Sequence, residues 1–140
     1  RERNSGTHVF FLEEVVRRGN LRGPEEFAPS VLMMSSSQAI VQEVSDNTAA
    51  ISYFGHGYLS PATRSIAIAK KAGDPFVSPS IEAALDGSYA LSRPLYFYIP
   101  KSQEEHLKEF VTFVLSAKGQ ATVSEMGFIP YKEIHAAAPT

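Results

Sequence analysis

Arg1-Glu2-Arg3-Asn4-Ser5-Gly6-Thr7 stands directly ahead of residues 7 to 18, a stretch that reads as a helix. Val9, Leu12 and Val16 fall on one face of that helix. Glu13/Arg17 and Glu14/Arg18 are spaced four apart with the acid first, the favourable order, and Gly19 supplies a stop. A helix N-terminus presents unpaired N–H groups and about half a positive charge, so it draws anions. Gly6 lets the backbone approach a ligand without a Cβ in the way. Ser5 and Thr7 add hydroxyl donors, and Arg1 or Arg3 can meet an oxyanion with two parallel hydrogen bonds. Read locally, the heptapeptide also fits a plainer description, with Ser5 or Thr7 as an ordinary N-cap and the arginines solvated.

Outward from this segment, Asn20 to Met34 reads as loop with at most one short helical turn. Ser35 and Gln38 form a capping-box pattern before a helix that carries Ile40, Val41 and Val44 and ends near Asp46 and Asn47. Ala49 to Phe54 predicts a short strand entering the turn Gly55-His56-Gly57, and Ser65 to Ala69 predicts a second strand. Ser78-Pro79 opens a short helix to about Asp86, with Pro at its first position and Gly87 just past its end. Leu95-Tyr96-Phe97-Tyr98-Ile99, bracketed by Pro94 and Pro100, predicts a strand covered on both faces. Ser102 and Glu105 cap the strongest helix, in which Leu107, Phe110, Val111 and Val114 repeat. Gly119 ends or interrupts that helix, a further helical stretch runs to about Glu125, and His135 to Thr140 reads as a frayed tail. Short strands alternating with helices predict an α/β architecture.

The chain of 140 residues is 44% hydrophobic and 20% charged, which suits a globular domain. A formal charge of −2 supplies no general attraction for nucleic acid or anionic lipid, so any anion must be held by placed donors. With no cysteine there is neither a disulfide framework nor a thiolate metal site. No apolar run approaches the ~20 residues needed to span a bilayer. The opening at Arg1, inside a motif already under way, predicts a fragment whose upstream sequence lies elsewhere.

Most other chemistry-bearing residues read as structural. His8, His56, His106 and His135 have no ligand spacing between them, and His56 sits in a turn. Glu13-Glu14 and Glu104-Glu105 read as solvated helix faces, and Lys70-Lys71 as an exposed strand end. Tyr96, Phe97 and Tyr98 read as core filling rather than base stacking, because no basic stripe accompanies them. Arg93 reads as a structural salt-bridge partner.

Four phrases in order carry a resemblance to a known family. Arg-x-x-x-Ser-Gly-Thr at residues 1 to 7 resembles the phosphate-binding segment of the PstS family of phosphate-binding proteins. SSSQAIVQEVSDNTAAISYFGHGYL at 35 to 59 resembles the family's helix, strand and turn. IEAALDGSYALSRPLYFYI at 81 to 99 is similar to its returning segment, and FVTFVLSAKGQATVSEMGFIP at 110 to 130 to its C-terminal helix pair. The resemblance implies a two-lobed α/β fold of the periplasmic substrate-binding-protein type (class II), with phosphate in the cleft. Residues 1–89 would form the second lobe, and 90–140 the returning strand and C-terminal helices of the first. It carries Arg1, Ser5, Gly6 and Thr7 over as phosphate contacts, whereas Arg3 and Asn4 match no donor position. It further implies a periplasmic or cell-surface location, an ABC-transporter permease as partner, and no cofactor, metal, catalysis or nucleic acid.

The N-terminal part of the family's fold has no counterpart here, and with it go most of the first lobe, a Ser or Thr loop and an acidic residue that contact the ligand. Three or four hydrogen bonds to a charged ligand contribute about 1.5–3 kcal/mol each, offset by several kcal/mol of ordering. The isolated chain is therefore expected to bind phosphate at millimolar concentration or not at all, against the ~8 kcal/mol that micromolar affinity requires. Unpaired strand edges also predict self-association of the fragment. Two other functions use the same residues: an anion-sensing or adhesion module on this fold, and a phosphatase or hydrolase with Ser5 as nucleophile and His8 as base. The hydrolase lacks a recognisable orienting carboxylate and the G-x-S-x-G elbow.

Overall fold

The computed structural model of the protein describes residues 1–131. The predicted tail from His135 to Thr140 lies outside them. Residues divide into two compact units, Arg1–Ser65 and a second beginning at Ile66.

In the first unit, α1 (Gly6–Phe11) runs into a π-helical turn at Leu12–Val16, so the predicted helix is present but changes its winding halfway. The Arg17 N–H donates to the Leu12 carbonyl at 2.8 Å, five residues back. That wider turn rotates the side chains away from i,i+4 facing. This is why neither Glu13/Arg17 nor Glu14/Arg18 forms an ion pair among the described residues; Arg17 pairs instead with Glu26 Oε1 at 2.5 Å and donates to the Glu25 carbonyl at 2.9 Å. Arg18 (φ 52°) and Gly19 (φ 82°) turn left-handed, and the Gly19 N–H closes back on the Glu13 carbonyl at 2.8 Å, a six-residue closure that satisfies a terminal carbonyl. Arg17 thereby ties the helix end to the loop that carries Phe27.

Helix α2 (Ser37–Asp46) ends where expected, with Asn47 as its C-cap. Its N-cap is Ser36 rather than Ser35: the Ser36 hydroxyl accepts from the Ala39 N–H at 3.1 Å. Ile40 is buried on its inner face. Residues 49 to 54 form no strand, and a 3-10 turn at His56–Tyr58 follows Gly55.

In the second unit the expected strand at 65 to 69 is reduced to one antiparallel bridge, Ile68 with Val77, made by N–H donations of 2.9 and 2.8 Å. Helix α3 (Ile81–Leu85) starts two residues later than Ser78-Pro79 predicts. Its N-cap is Ser80, whose hydroxyl accepts from Ala83 at 3.0 Å, so Pro79 stands outside the helix. Gly87 (φ 73°) does stop it. Lys70 Nζ donates to the Gly87 carbonyl at 2.8 Å, which gives this lysine a cap-like role at the helix end.

Leu95 to Ile99 is not a strand, and Tyr98 is 91% exposed rather than covered on both faces. A strand exists only where a neighbouring backbone accepts its ladder bonds. The isolated bridge is the sole β pairing among the described residues.

A 3-10 turn at Lys101–Gln103 leads into α4 (Glu104–Val114), whose N-cap Gln103 makes no side-chain cap bond. Glu105 pairs with Lys108 on the solvent face at 3.6 Å and does not cap. Gly119 does not end this helix. It lies buried in the first turn of α5 (Ala117–Glu125), where a Cβ would collide with the Phe113 and Val114 carbonyls. Ser116 caps α5 by accepting from the Gly119 N–H at 3.2 Å. Gln120, buried, donates to the Val114 carbonyl at 2.8 Å and accepts from the Tyr131 N–H at 2.6 Å.

Candidate functional site: the Arg1–Thr7 segment

Ser5 occupies the N-cap position of α1 with extended backbone (φ −81°, ψ 131°), yet its hydroxyl caps nothing. It accepts instead from Arg1 Nε at 3.2 Å. The plainer expectation, Ser5 as an ordinary capping side chain, is thus corrected: the hydroxyl is turned toward the arginine. Ser5 is 9% exposed, and an accepting hydroxyl in that position keeps its own proton to donate.

The main chain shapes the segment. The Ser5 N–H donates to the Glu2 carbonyl at 3.0 Å, folding residues 2 to 5 into a turn, and the Glu2 N–H donates to the Met34 carbonyl at 3.0 Å. Arg1 Nη1 donates to the Ser35 carbonyl at 3.0 Å, just ahead of the α2 cap. Two of the five guanidinium protons are used in this way, which leaves donors on both terminal nitrogens for a planar, two-point contact with an oxyanion. Because α1 starts at Gly6, the N–H groups of Gly6, Thr7 and His8 leave its first turn with no intrahelical carbonyl to meet. Thr7 is half-buried and Gly6 exposed.

Of the four expected contact residues, Ser5, Gly6 and Thr7 are consecutive at the start of α1, and the turn over residues 2 to 5 brings Arg1 onto Ser5. Arg3 and Asn4 are exposed and stand apart. The sequence offers His8 only as a base for Ser5. It is 4% exposed, its Nδ1 lies 3.2 Å from the Arg1 carbonyl and 3.4 Å from the Tyr53 hydroxyl, and its ring packs on Phe27 at 4.9 Å. Tyr53 stacks on Phe11 at 4.0 Å, with Phe27 at 5.9 Å. Burial among these rings pushes the Tyr53 phenol above its ordinary pKa, and the Arg1 charge opposes the shift without cancelling it. His8, Tyr53, Phe27 and Ser35 escape a reading of the heptapeptide because three of them join it from distant positions. The signal for His8 was its place in the first helical turn, immediately after Ser-Gly-Thr. Among the described residues no group of three or more His, Asp or Glu gathers as a metal site.

Comparison with known proteins covers most of the chain. Residues 1–118 match the PBP superfamily domain. The phosphate-binding protein PstS of Pseudomonas aeruginosa is 38% identical over 130 residues, covering 90% of this chain and 38% of that protein. That of Staphylococcus saprophyticus is 30% identical over 133 residues, 91% of this chain and 39% of its own. That of Staphylococcus aureus is 29% identical over 134 residues, 91% of this chain and 38% of its own. The resemblance to the PstS family is borne out, and the chain spans about two fifths of the length of these curated relatives.

Proposed function

The chain belongs to the PBP superfamily, and from that premise we propose that it is part of a protein that binds inorganic phosphate outside the cytoplasmic membrane and delivers it to an ABC-transporter permease. It binds and releases and does not catalyse. Arg1, Ser5, Gly6 and Thr7 are its phosphate contacts: the guanidinium supplies charge and a planar pair of donors, Ser5 and Thr7 supply hydroxyls, and the first N–H groups of α1 complete the half-shell. Gly6 keeps the approach to those N–H groups open. Within a class II substrate-binding fold, residues 1–89 belong to the second lobe and 90–140 return to the first. Lobe closure would complete the shell and desolvate the anion.

The observation that carries this reading is the Arg1–Ser5 contact at a helix start. A capping serine would spend its acceptor on the helix; this one spends it on the arginine and keeps its own proton to donate. The hydrolase alternative lacks support here: Ser5 Oγ meets Arg1 Nε, His8 Nδ1 lies by the Arg1 carbonyl and the Tyr53 hydroxyl, and no Ser5–His8 hydrogen bond is formed among the described residues. No described helix is long and apolar enough to cross a membrane.

Calorimetric titration with phosphate and with sulfate tests the proposal. The chain alone should bind phosphate at millimolar concentration, in preference to sulfate, and Arg1→Ala should abolish the heat. A half-site that gives no heat should gain it when the preceding part of a relative's chain is supplied. Silence in both settings would remove phosphate as the ligand.

A further inference from the structure

We propose that His8 is the positioning residue of the anion site, fixing the main chain of Arg1 so that its guanidinium reaches Ser5. Arg1 is held at both ends. Its side chain meets Ser5 Oγ and the Ser35 carbonyl, at 3.2 and 3.0 Å, while its carbonyl meets His8 Nδ1 at 3.2 Å. A carbonyl only accepts, so the tautomer that satisfies it carries the proton on Nδ1. The Tyr53 oxygen, at 3.4 Å, then takes the longer branch of the same N–H and keeps its own proton.

His8 cannot turn away from this duty at low cost. At 4% exposure its ring is enclosed, and Phe27 lies 4.9 Å from it, with Phe11 and Tyr53 stacked alongside. The aromatic cluster thus gives the imidazole a fixed orientation, and the imidazole transmits that orientation to the residue that carries the positive charge. Without the Nδ1 bond, residues 1 to 4 remain tied by the Glu2–Met34 and Ser5–Glu2 bonds. The Arg1–Glu2 peptide then keeps only its N–H anchor on the Met34 carbonyl, so its carbonyl edge, and the Arg1 Cα beyond it, can tilt. The role in positioning stands on geometry; its consequence for phosphate rests on the function proposed above.

The two parts are tested separately on the whole chain. Solvent exchange of the Arg1 Nε proton, followed by NMR, reports the bond to Ser5 without any ligand. His8→Asn keeps an N–H close to the Nδ1 position, His8→Gln places its N–H farther out near Nε2, and His8→Phe keeps the ring but has no donor. Loss of one hydrogen bond is worth roughly tenfold, so exchange should quicken about tenfold in His8→Phe and His8→Gln and stay near the parent rate in His8→Asn. If His8→Phe does not fold, the Asn and Gln variants carry the comparison alone. Equal rates in those two, or an unchanged rate in a folded His8→Phe, would overturn the proposal. Phosphate titration of the same variants should rank them identically. Correct ranking in exchange with no phosphate heat in any of them would leave the positioning role standing and remove only the ligand.

Discussion

Asp86, just past α3, accepts from the Ser88 N–H at 2.8 Å. The Ser88 hydroxyl, with that N–H second, holds the carboxyl below the ordinary aspartate pKa. A carboxyl depressed in the folded state contributes stability above its unfolded pKa, and that contribution is lost as pH falls through the folded value. The site is fully exposed, so the effect on stability is small. An NMR titration should place the Asp86 midpoint below that of an unstructured aspartate, and Ser88→Ala should move it part of the way back, since the N–H remains. An unmoved midpoint would mean the hydroxyl has no part in it. The same scale explains what a short motif can and cannot reveal. The Arg1–Ser5 contact lies within seven consecutive residues, where a short motif can point to it. Tyr53 and Ser35 were not legible, because they meet His8 and Arg1 across separations of 45 and 34 residues. No local pattern encodes such a meeting.

At the scale of elements, the turn between α4 and α5 hinges on Gly119. Two principles oppose each other there. Helix propensity alone would make Gly119→Ala stabilising by about 1 kcal/mol. The added Cβ would press on the Phe113 and Val114 carbonyls, which are backbone and cannot swing aside, and overpacking of that kind costs about 1–3 kcal/mol. The clash should win, because the contacts are far inside van der Waals range. A urea titration should therefore show a lower midpoint for Gly119→Ala; a raised one would mean the two helices sit farther apart than this. Ser116→Ala, which deletes the α5 cap, should cost about 1 kcal/mol without any clash. Helices were the readable part of the fold because their ends are set by nearby residues. Ser36, Ser80 and Ser116 each sit within three residues of the N–H they satisfy. Even there, the box at Ser35 was one residue off, since neighbouring serines offer the same chemistry. The strands at 49 to 54 and 95 to 99 failed for a different reason. Alternation and aromatic content say that a segment suits a sheet, and only a partner backbone makes it one.

At the scale of the whole molecule, burial is the scarce quantity. Among the described residues the buried hydrophobic side chains are Leu12, Ile40 and Ala83. Leu95 and Tyr96 are each 70% exposed, with Phe97, Phe110 and Phe113 half exposed or more. Apolar surface left in water at about 25 cal/mol per Å² is a standing drive to association. Patches of this kind mark interaction sites or aggregation hazards. The segment from Leu95 to Tyr98 adds unpaired backbone to apolar side chains, the two features that favour edge-to-edge pairing. The isolated chain should therefore self-associate. Sedimentation velocity should show a mass average that climbs with concentration into the range of order 100 µM, where exposed apolar chains typically aggregate. Tyr98→Lys with Phe97→Lys should hold the chain monomeric over the same range, since both sites are solvent-facing and a charge there opposes pairing. If the parent chain stays monomeric throughout, the exposed run is not what brings copies together. If the double variant associates as strongly as the parent, the contact lies elsewhere, and the half-exposed Phe110 and Phe113 of α4 become the next residues to charge.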